Sequence, residues 1–234
     1  MKLNGVNEFG YTRLMLLAEG GQVNELIQII DKGIDIDAQN QDGETALALA
    51  IKKGNREIAE VLINHGADIN LADFDCNTPL ILASEKDGCY NTVDLLIKKG
   101  ADIKQGNNLG ETALHKACYY GLYEIAKLLI SNCADVNIQD IYGETPLHKT
   151  AYYGWTDIGD LVISAGVDLN IANNSGEKPV EIAAANGWKE LTQLLLSKGA
   201  TTDKEVLIKN TFDFNVSNSV DKKDILVAAR TIMN

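Results

Sequence analysis

The amino-acid sequence predicts an all-α repeat solenoid, and three series of glycines carry that prediction. Within each series, successive positions lie 33 or 34 residues apart through most of the 234-residue chain. A unit this short cannot bury an apolar face by itself, so the copies must stack into an elongated array. The three series are Gly10, Gly43, Gly110, Gly143 and Gly176, with Cys76 in the missing place; Gly21, Gly54, Gly88, Gly121, Gly154 and Gly187; and Gly33, Gly66, Gly100, Gly166 and Gly199, with Cys133 in the missing place.

The fifth copy of the unit shows how each element follows from the sequence. Gly143 predicts a tight turn, because glycine adopts backbone angles that other residues resist. Thr145 is suited to cap a short helix, and Pro146 suits its first position, where no N–H is needed. Gly154 ends this helix, and a longer helix with one apolar face follows it. Each unit is therefore predicted to be a turn, a short helix, a second turn, a longer helix and a connecting loop.

Two segments of this pattern closely resemble the ankyrin repeat: Gly143-Glu144-Thr145-Pro146-Leu147-His148 and Ala134-Asp135-Val136-Asn137. The resemblance covers about residues 8 to 206. It implies that the units are joined by short β-hairpin-like loops, and that these loops and the short helices line a concave face. The predicted array, residues 1–206, divides into units at about 8–40, 41–73, 74–107, 108–140, 141–173 and 174–206.

Departures from the pattern predict local irregularities. Cys76 replaces a turn glycine, and one extra residue within 84–87 predicts a bulge in the third unit that faces the groove. Cys133 stands where glycine is favoured, and a left-handed backbone there would cost about 1 kcal/mol. Lys178 replaces a capping threonine, at a similar cost of about 1 kcal/mol.

The two ends of the array are predicted to differ from its middle. Residues 1–40 are interpreted as an N-terminal cap, since terminal repeats are atypical. The period fails after about residue 206, and residues 207–234 are predicted to form a C-terminal half-repeat cap. The alternative for this last segment is a detachable or partner-binding arm.

Composition and charge narrow the class of partner. The chain has 21 Lys and Arg against 33 Asp and Glu, a formal net charge of -12. This balance argues against nucleic acid, whose binding depends on basic side chains at phosphates, and against anionic membranes. No run approaches the roughly 20 apolar residues of a membrane span, and no apolar leader is visible. The four cysteines lack Cys-x-x-Cys spacing, so we expect reduced thiols and a cytoplasmic location.

Aromatic side chains outside the repeat framework predict a binding surface on the last three units. Large aromatics dominate interaction hot spots, although tyrosines before the mid-repeat glycine also pack on neighbouring units. The predicted surface residues are Tyr119, Tyr120, Tyr142, Tyr152, Tyr153, Trp155 and Trp188.

Glutamates that follow the turn glycines predict an acidic row along the hairpin tips. Glu111 and Glu144 belong to this row, with Glu44 and Glu177 as its other members. One interpretation is a rim that receives a basic partner, and the other is a solvated charged edge, since isolated surface charges contribute little.

The sequence contains no pattern that predicts catalysis or a bound cofactor. His115 and His148 recur at the position of the structural histidine of ankyrin repeats. The resemblance implies that this histidine stabilises the start of the short helix and the contact between units. No thiol and histidine pair has metal-site spacing, and no nucleophile elbow, phosphate loop or dinucleotide fingerprint is present. We therefore expect no catalytic residue, no metal and no cofactor.

The function predicted from these observations is that of a non-catalytic scaffold for protein–protein interaction. Its partner would be another protein or a peptide, held by the concave face and the hairpin tips, and the scaffold is expected to be a monomer. One alternative is an inhibitor or immunity-type protein that blocks a basic enzyme or toxin with an acidic face. A second alternative is an enzyme, or the regulatory part of one, which would need an active site in residues 204–234.

Overall fold

The structure, a computed structural model, describes residues 5–202. Within this range the chain forms twelve helices and no strand, apart from one isolated bridge between Val6 and Thr12. The helices are α1 (Arg13–Gly20), α2 (Val23–Ile30), α3 (Ala46–Lys53), α4 (Arg56–Asn64), α5 (Pro79–Ala83), α6 (Tyr90–Lys98), α7 (Ala113–Tyr119), α8 (Tyr123–Ser131), α9 (Pro146–Tyr153), α10 (Thr156–Ser164), α11 (Pro179–Ala185) and α12 (Lys189–Ser197).

The helices stack in two parallel rows that share one apolar core. Odd-numbered helices contact one another along one row, even-numbered helices contact one another along the second, and each odd helix packs on the even helix that follows it. Leucines at equivalent places in successive units are fully buried between the rows: Leu47, Leu80, Leu114 and Leu147 in the first, and Leu62, Leu96 and Leu129 in the second. Stacking therefore buries the apolar face that one unit alone would leave exposed.

Threonines begin the short helices as the sequence predicts. The hydroxyl of Thr45 accepts the N–H of Ala48 at 3.1 Å, and Thr12 and Thr78 cap α1 and α5 in the same way. Pro146 occupies the first turn of α9, and Gly154 ends that helix in the left-handed conformation, with a φ of 75°. Local sequence thus sets both ends of these helices.

The connections between units are tight turns. In the second unit, the N–H of Asn40 donates to the carbonyl of Glu44 at 3.0 Å, and the N–H of Gly43 donates back to the carbonyl of Asn40 at 3.1 Å. The resemblance implied hairpin-like loops, and the described residues close such loops without extending them into β-ladders.

The third unit departs from the others at its first helix. The extra residue leaves α5 with five residues, the shortest helix in the described chain. At Trp155 the N–H donates to the carbonyl of Thr150, five residues earlier, whereas the N–H of Cys89 donates only to Lys86. The ending that closes the other short helices is therefore replaced by a looser turn.

The remaining irregular positions follow the predicted backbone. Cys76 and Cys133 are the non-glycine residues with positive φ in the described chain, at 60° and 64°. At Lys178, which replaces a capping threonine, the backbone N–H donates to the carboxylate of Glu181 at 3.1 Å. A hydrogen bond to a side chain therefore still marks the start of α11.

Each predicted unit contains one helix pair, while the exact unit boundaries stay a prediction. The predicted cap or arm at 207–234 lies outside the described residues. None of the helices in residues 5–202 is long and apolar enough to cross a membrane.

Candidate protein-interaction surface

An asparagine or aspartate lies three residues before each turn glycine, and before Cys76 in the third unit, and it shapes the projecting turn. Oδ1 of Asp140 accepts the N–H groups of Tyr142 and Glu144, each at 2.9 Å. This arrangement satisfies two backbone donors and holds the turn in one conformation. These residues were not among those predicted from the sequence, although their fixed distance from the turn position is visible in it. The equivalent residues are Asn7, Asn40, Asp73, Asn107 and Asn173.

Backbone hydrogen bonds join each turn to the one before it. The N–H of Ile141 donates to the carbonyl of Leu109 at 2.9 Å, and the N–H of Asn174 donates to the carbonyl of Tyr142 at 2.9 Å. Apolar side chains at these tips face solvent in successive units: Phe74, Leu109, Ile141 and Tyr142. Tyr142, a predicted surface residue, is thus part of an exposed apolar row on a fixed backbone.

Three of the predicted tyrosines form one cluster at the ends of α7 and α9. The ring centre of Tyr119 lies 4.9 Å from that of Tyr120 and 4.8 Å from that of Tyr153, both in edge-to-face geometry. These side chains keep 38%, 46% and 40% of their surface exposed, respectively. A hydrogen bond with the Tyr119 side chain raises the pKa of Tyr153, and burial raises it by a smaller amount. We call Tyr119, Tyr120 and Tyr153 the tyrosine cluster.

The two tryptophans anchor neighbouring units to each other. The indole N–H of Trp155 donates to the carbonyl of Tyr119 at 3.2 Å, and that of Trp188 donates to the carbonyl of Tyr152 at 3.0 Å. The ring of Trp155 covers Gly121, where a Cβ atom would lie only 2.7 Å from it. Both rings remain partly exposed. Their predicted place at the surface therefore combines with a structural role that the sequence did not reveal.

Glu111 and Glu144 do not form an exposed acidic row. Their side chains are only 11% and 12% exposed, and lysines of α7 and α9 neutralise their charges. Lys116 lies 2.6 Å from Glu111, and Lys149 lies 2.6 Å from Glu144. The expectation of charged tips is corrected in this respect: both carboxylates point back to the helices.

The ion pairs extend into a cluster that spans the third to fifth units. Lys149 also contacts Asp140 at 2.7 Å and Glu111 at 3.6 Å. Lys116 reaches Glu85 in the third unit at 3.2 Å. Such a cluster links three successive units below the projecting turns.

Tyr152 belongs to this cluster. Its hydroxyl donates to Oε1 of Glu144 at 2.6 Å. Burial and this hydrogen bond to a carboxylate raise the pKa of Tyr152. Burial lowers the pKa of Lys149, but its hydrogen bonds to Asp140 and Glu144 outweigh burial and the net pKa is raised. For Glu111 burial raises the pKa, but Lys116 outweighs burial and the net pKa is lowered. At neutral pH, Lys149 and Glu111 are therefore charged, and Tyr152 is neutral.

The two histidines at equivalent positions of the fourth and fifth units, His115 and His148, are buried framework residues. Nδ1 of His115 accepts the N–H of Thr112 at 3.1 Å, and Nε2 bonds the carbonyl of Glu144 in the next unit at 3.0 Å. His148 repeats the arrangement with Thr145 and with the carbonyl of Glu177. Burial lowers the pKa of His115 to about 4. Both rings are therefore neutral linkers between units, and no group of metal-binding side chains is found among the described residues.

The stacked helix pairs, joined by fixed turns that display exposed aromatic side chains, define a helical repeat solenoid with a surface suited to contact another chain. Models of ankyrin repeats match residues 29–83, 72–140 and 114–207. The chain belongs to the ankyrin repeat family.

A solved structure supports the same fold. The crystal structure of an ankyrin repeat domain from Acinetobacter baumannii AYE, at 1.00 Å resolution, is similar to this chain with a TM-score of 0.74 and 30% sequence identity. The match covers 80% of this chain and 98% of that one. No curated protein sequence matches the chain.

Proposed function

We propose that this protein is a non-catalytic scaffold that binds a protein or peptide through the tyrosine cluster and the turn tips of the fourth to sixth units. Ankyrin repeats generally mediate protein–protein interaction, which supports the broad class. The observation that carries the assignment of the surface is the tyrosine cluster itself. The ring of Tyr119 contacts the rings of Tyr120 and Tyr153, while each of the three residues remains more than a third exposed.

The physical chemistry of the cluster favours binding. Tyrosine supplies a large contact area at low entropic cost and keeps a hydroxyl for hydrogen bonds, and such residues dominate interaction hot spots. The rings stand on helices whose ends are fixed by caps and by the tryptophan anchors, so little ordering is required when a partner docks. Exposed Ile141 and Tyr142 extend the contact area onto the turns.

Trp155 is a poor choice for testing this surface. The indole of Trp155 joins two units, so its removal must also destabilise the array. The tyrosines alone give a cleaner test.

The experiment is affinity capture from native lysate with the double variant Tyr120→Ala, Tyr153→Ala. The matched control is Phe9→Ala, which removes an exposed aromatic ring from a turn of the first unit. Proteins retained by the wild type and the control but lost with the tyrosine variant would support the proposal. Equal capture by all three proteins would contradict it.

The inhibitor alternative keeps weaker support. The net charge of -12 suits a basic target, but Glu111 and Glu144 are already paired with lysines. A regulatory role for an enzyme would depend on residues 204–234, outside the described residues. A cytoplasmic location and a monomeric state remain part of the proposal, and analytical ultracentrifugation tests the latter.

A further inference from the structure

The residue after each mid-repeat glycine lies at the junction with the preceding unit. At the last two junctions this residue is a tryptophan, and its ring lies over the mid-repeat glycine of the preceding unit. Trp155 covers Gly121, and Trp188 covers Gly154. At the first junction Asn55 occupies the same register and donates to the carbonyls of Ala18 and Glu19. These contacts close the junctions at the end of the helices opposite the projecting turns.

The junction between the third and fourth units lacks such a contact. Leu122 occupies the tryptophan register there, and its side chain has no hydrogen-bond donor. An open cavity of about 760 Å³ lies at this place. It is bounded by Gly88 and Leu122 and by the side chains of Tyr90, Tyr120 and Tyr123. The cavity thus lies beside Gly88, the glycine whose equivalents in the next two units are covered by tryptophan rings.

The charged residues on the lining of this cavity are both acidic. Asp87 lies on one side and Glu124 on the other. A cation also borders the cavity: the guanidinium of the exposed Arg56, from the second unit, rests against Gly88. An exposed side chain of this length can turn aside, or can face an aromatic ring as a cation–π partner.

We propose that this cavity is a binding site for a tryptophan side chain carried by a basic segment of a partner protein. The chain seats its own tryptophans on the equivalent glycines of the next two units, so an indole ring can cover a glycine in this register; at Gly88 it would displace the exposed Arg56 side chain. Three tyrosine side chains supply aromatic walls, and the volume falls in the range of sites that hold a few residues of a ligand. Lysines beside the tryptophan would face Asp87 and Glu124.

The cavity shares Tyr120 with the tyrosine cluster, but its test uses a peptide probe and variants at other residues, so it does not depend on the proposed scaffold function. The probe is the tripeptide acetyl-Lys-Trp-Lys-amide, titrated into the ¹⁵N-labelled full chain and followed by amide shifts in NMR spectra. The controls are acetyl-Lys-Ala-Lys-amide and acetyl-Glu-Trp-Glu-amide. We expect saturable shifts at Gly88, Gly121 and Tyr123 with the first peptide, and binding weaker by about tenfold or more with each control. Equal binding of the alanine control, or the absence of saturation, would overturn the proposal.

Two substitutions at one position sharpen the test. Leu122→Trp places an indole of the chain itself in the cavity and should abolish peptide binding, whereas Leu122→Ala leaves the cavity open and should preserve it. Tyr90→Ala removes one exposed wall of the cavity and should weaken peptide binding several-fold. If circular dichroism shows that Leu122→Trp is unfolded, Tyr90→Ala serves as the deciding variant. Unaltered peptide binding by Leu122→Trp, or by Tyr90→Ala in that case, would contradict the site.

Discussion

The indole N–H of Trp155 donates to the backbone carbonyl of Tyr119 across 3.2 Å, and this bond joins the fifth unit to the fourth. The same Tyr119 has its ring between those of Tyr120 and Tyr153. The anchor that holds two units together therefore also fixes the tyrosine cluster. Stability of the junction and presentation of the proposed binding surface are coupled through one residue.

Replacing Trp155 should separate the two parts of this anchor. Trp155→Phe keeps a ring over Gly121 but removes the N–H donor, so we expect a loss of about 1 kcal/mol in the free energy of unfolding. Trp155→Ala also removes the ring contact, and the loss should grow to about 2–3 kcal/mol. Urea denaturation measures both values. Equal effects of the two variants would contradict this account, because they would show that the ring contact with Gly121 contributes nothing beyond the hydrogen bond.

Burial of His115 predicts a pH dependence of stability. Its pKa falls from an ordinary 6.5 to about 4 in the folded chain. Below 6.5 the unfolded chain binds a proton that the folded chain does not, so stability is full above this pH and falls as the pH drops toward 4. The loss should reach about 3 kcal/mol at the lower end.

His115→Ala tests this dependence, because alanine occupies the same register at Ala48. The variant should be less stable at pH 7, yet its stability should fall less steeply between pH 6.5 and pH 4.5, where Glu111 does not yet titrate. Stability curves measured by denaturation at several pH values give the slope. A slope identical to that of the wild type would exclude His115 as its source.

Two substitutions isolate the strain of left-handed backbone. Cys133 is exposed and has a φ of 64°, so Cys133→Gly should raise the free energy of unfolding by about 1 kcal/mol. Gly166 occupies the same register with a φ of 86° and open space around an added Cβ. Gly166→Ala should therefore lower stability by about 1 kcal/mol. Thermal melts of both variants provide the comparison, and shifts in the same direction would refute it.

Asp140 performs two tasks that substitution can separate. Asp140→Asn keeps an oxygen for the N–H groups of Tyr142 and Glu144 and loses only the carboxylate beside Lys149, so we expect a loss of about 1 kcal/mol. Asp140→Ala also leaves the turn donors unsatisfied, at about 3 kcal/mol. Asn173→Ala is the control, because it removes the same turn bonds where no lysine is paired with the turn residue. Chemical denaturation should rank Asp140→Ala as the most damaging of the three.

The sequence predicted the framework well because local chemistry determines it. Glycine, threonine and proline at fixed intervals set the ends of helices such as α9, and the structure has Thr145, Pro146 and Gly154 in the predicted places. The histidine of the short helix also has its expected structural partners.

Contacts between units could not be predicted in the same way. Nothing near Glu144 in the sequence indicates that Lys149 and Tyr152 both reach its carboxylate, since this depends on the rotation of α9. The bond from Trp155 spans 36 positions, and the cavity beside Leu122 exists only because neighbouring units fail to fill it. Side chains that act across a junction require coordinates.

The proposed binding role of the tyrosine cluster has a direct test by site-specific photocrosslinking. A benzoylphenylalanine placed at Tyr120 in the full chain should form a discrete covalent adduct with a protein from native lysate. Adding Tyr153→Ala should abolish this adduct, and the same probe placed at Phe9 should form none. Adducts of the same size from both positions, or an adduct that survives Tyr153→Ala, would contradict a binding surface centred on the tyrosine cluster.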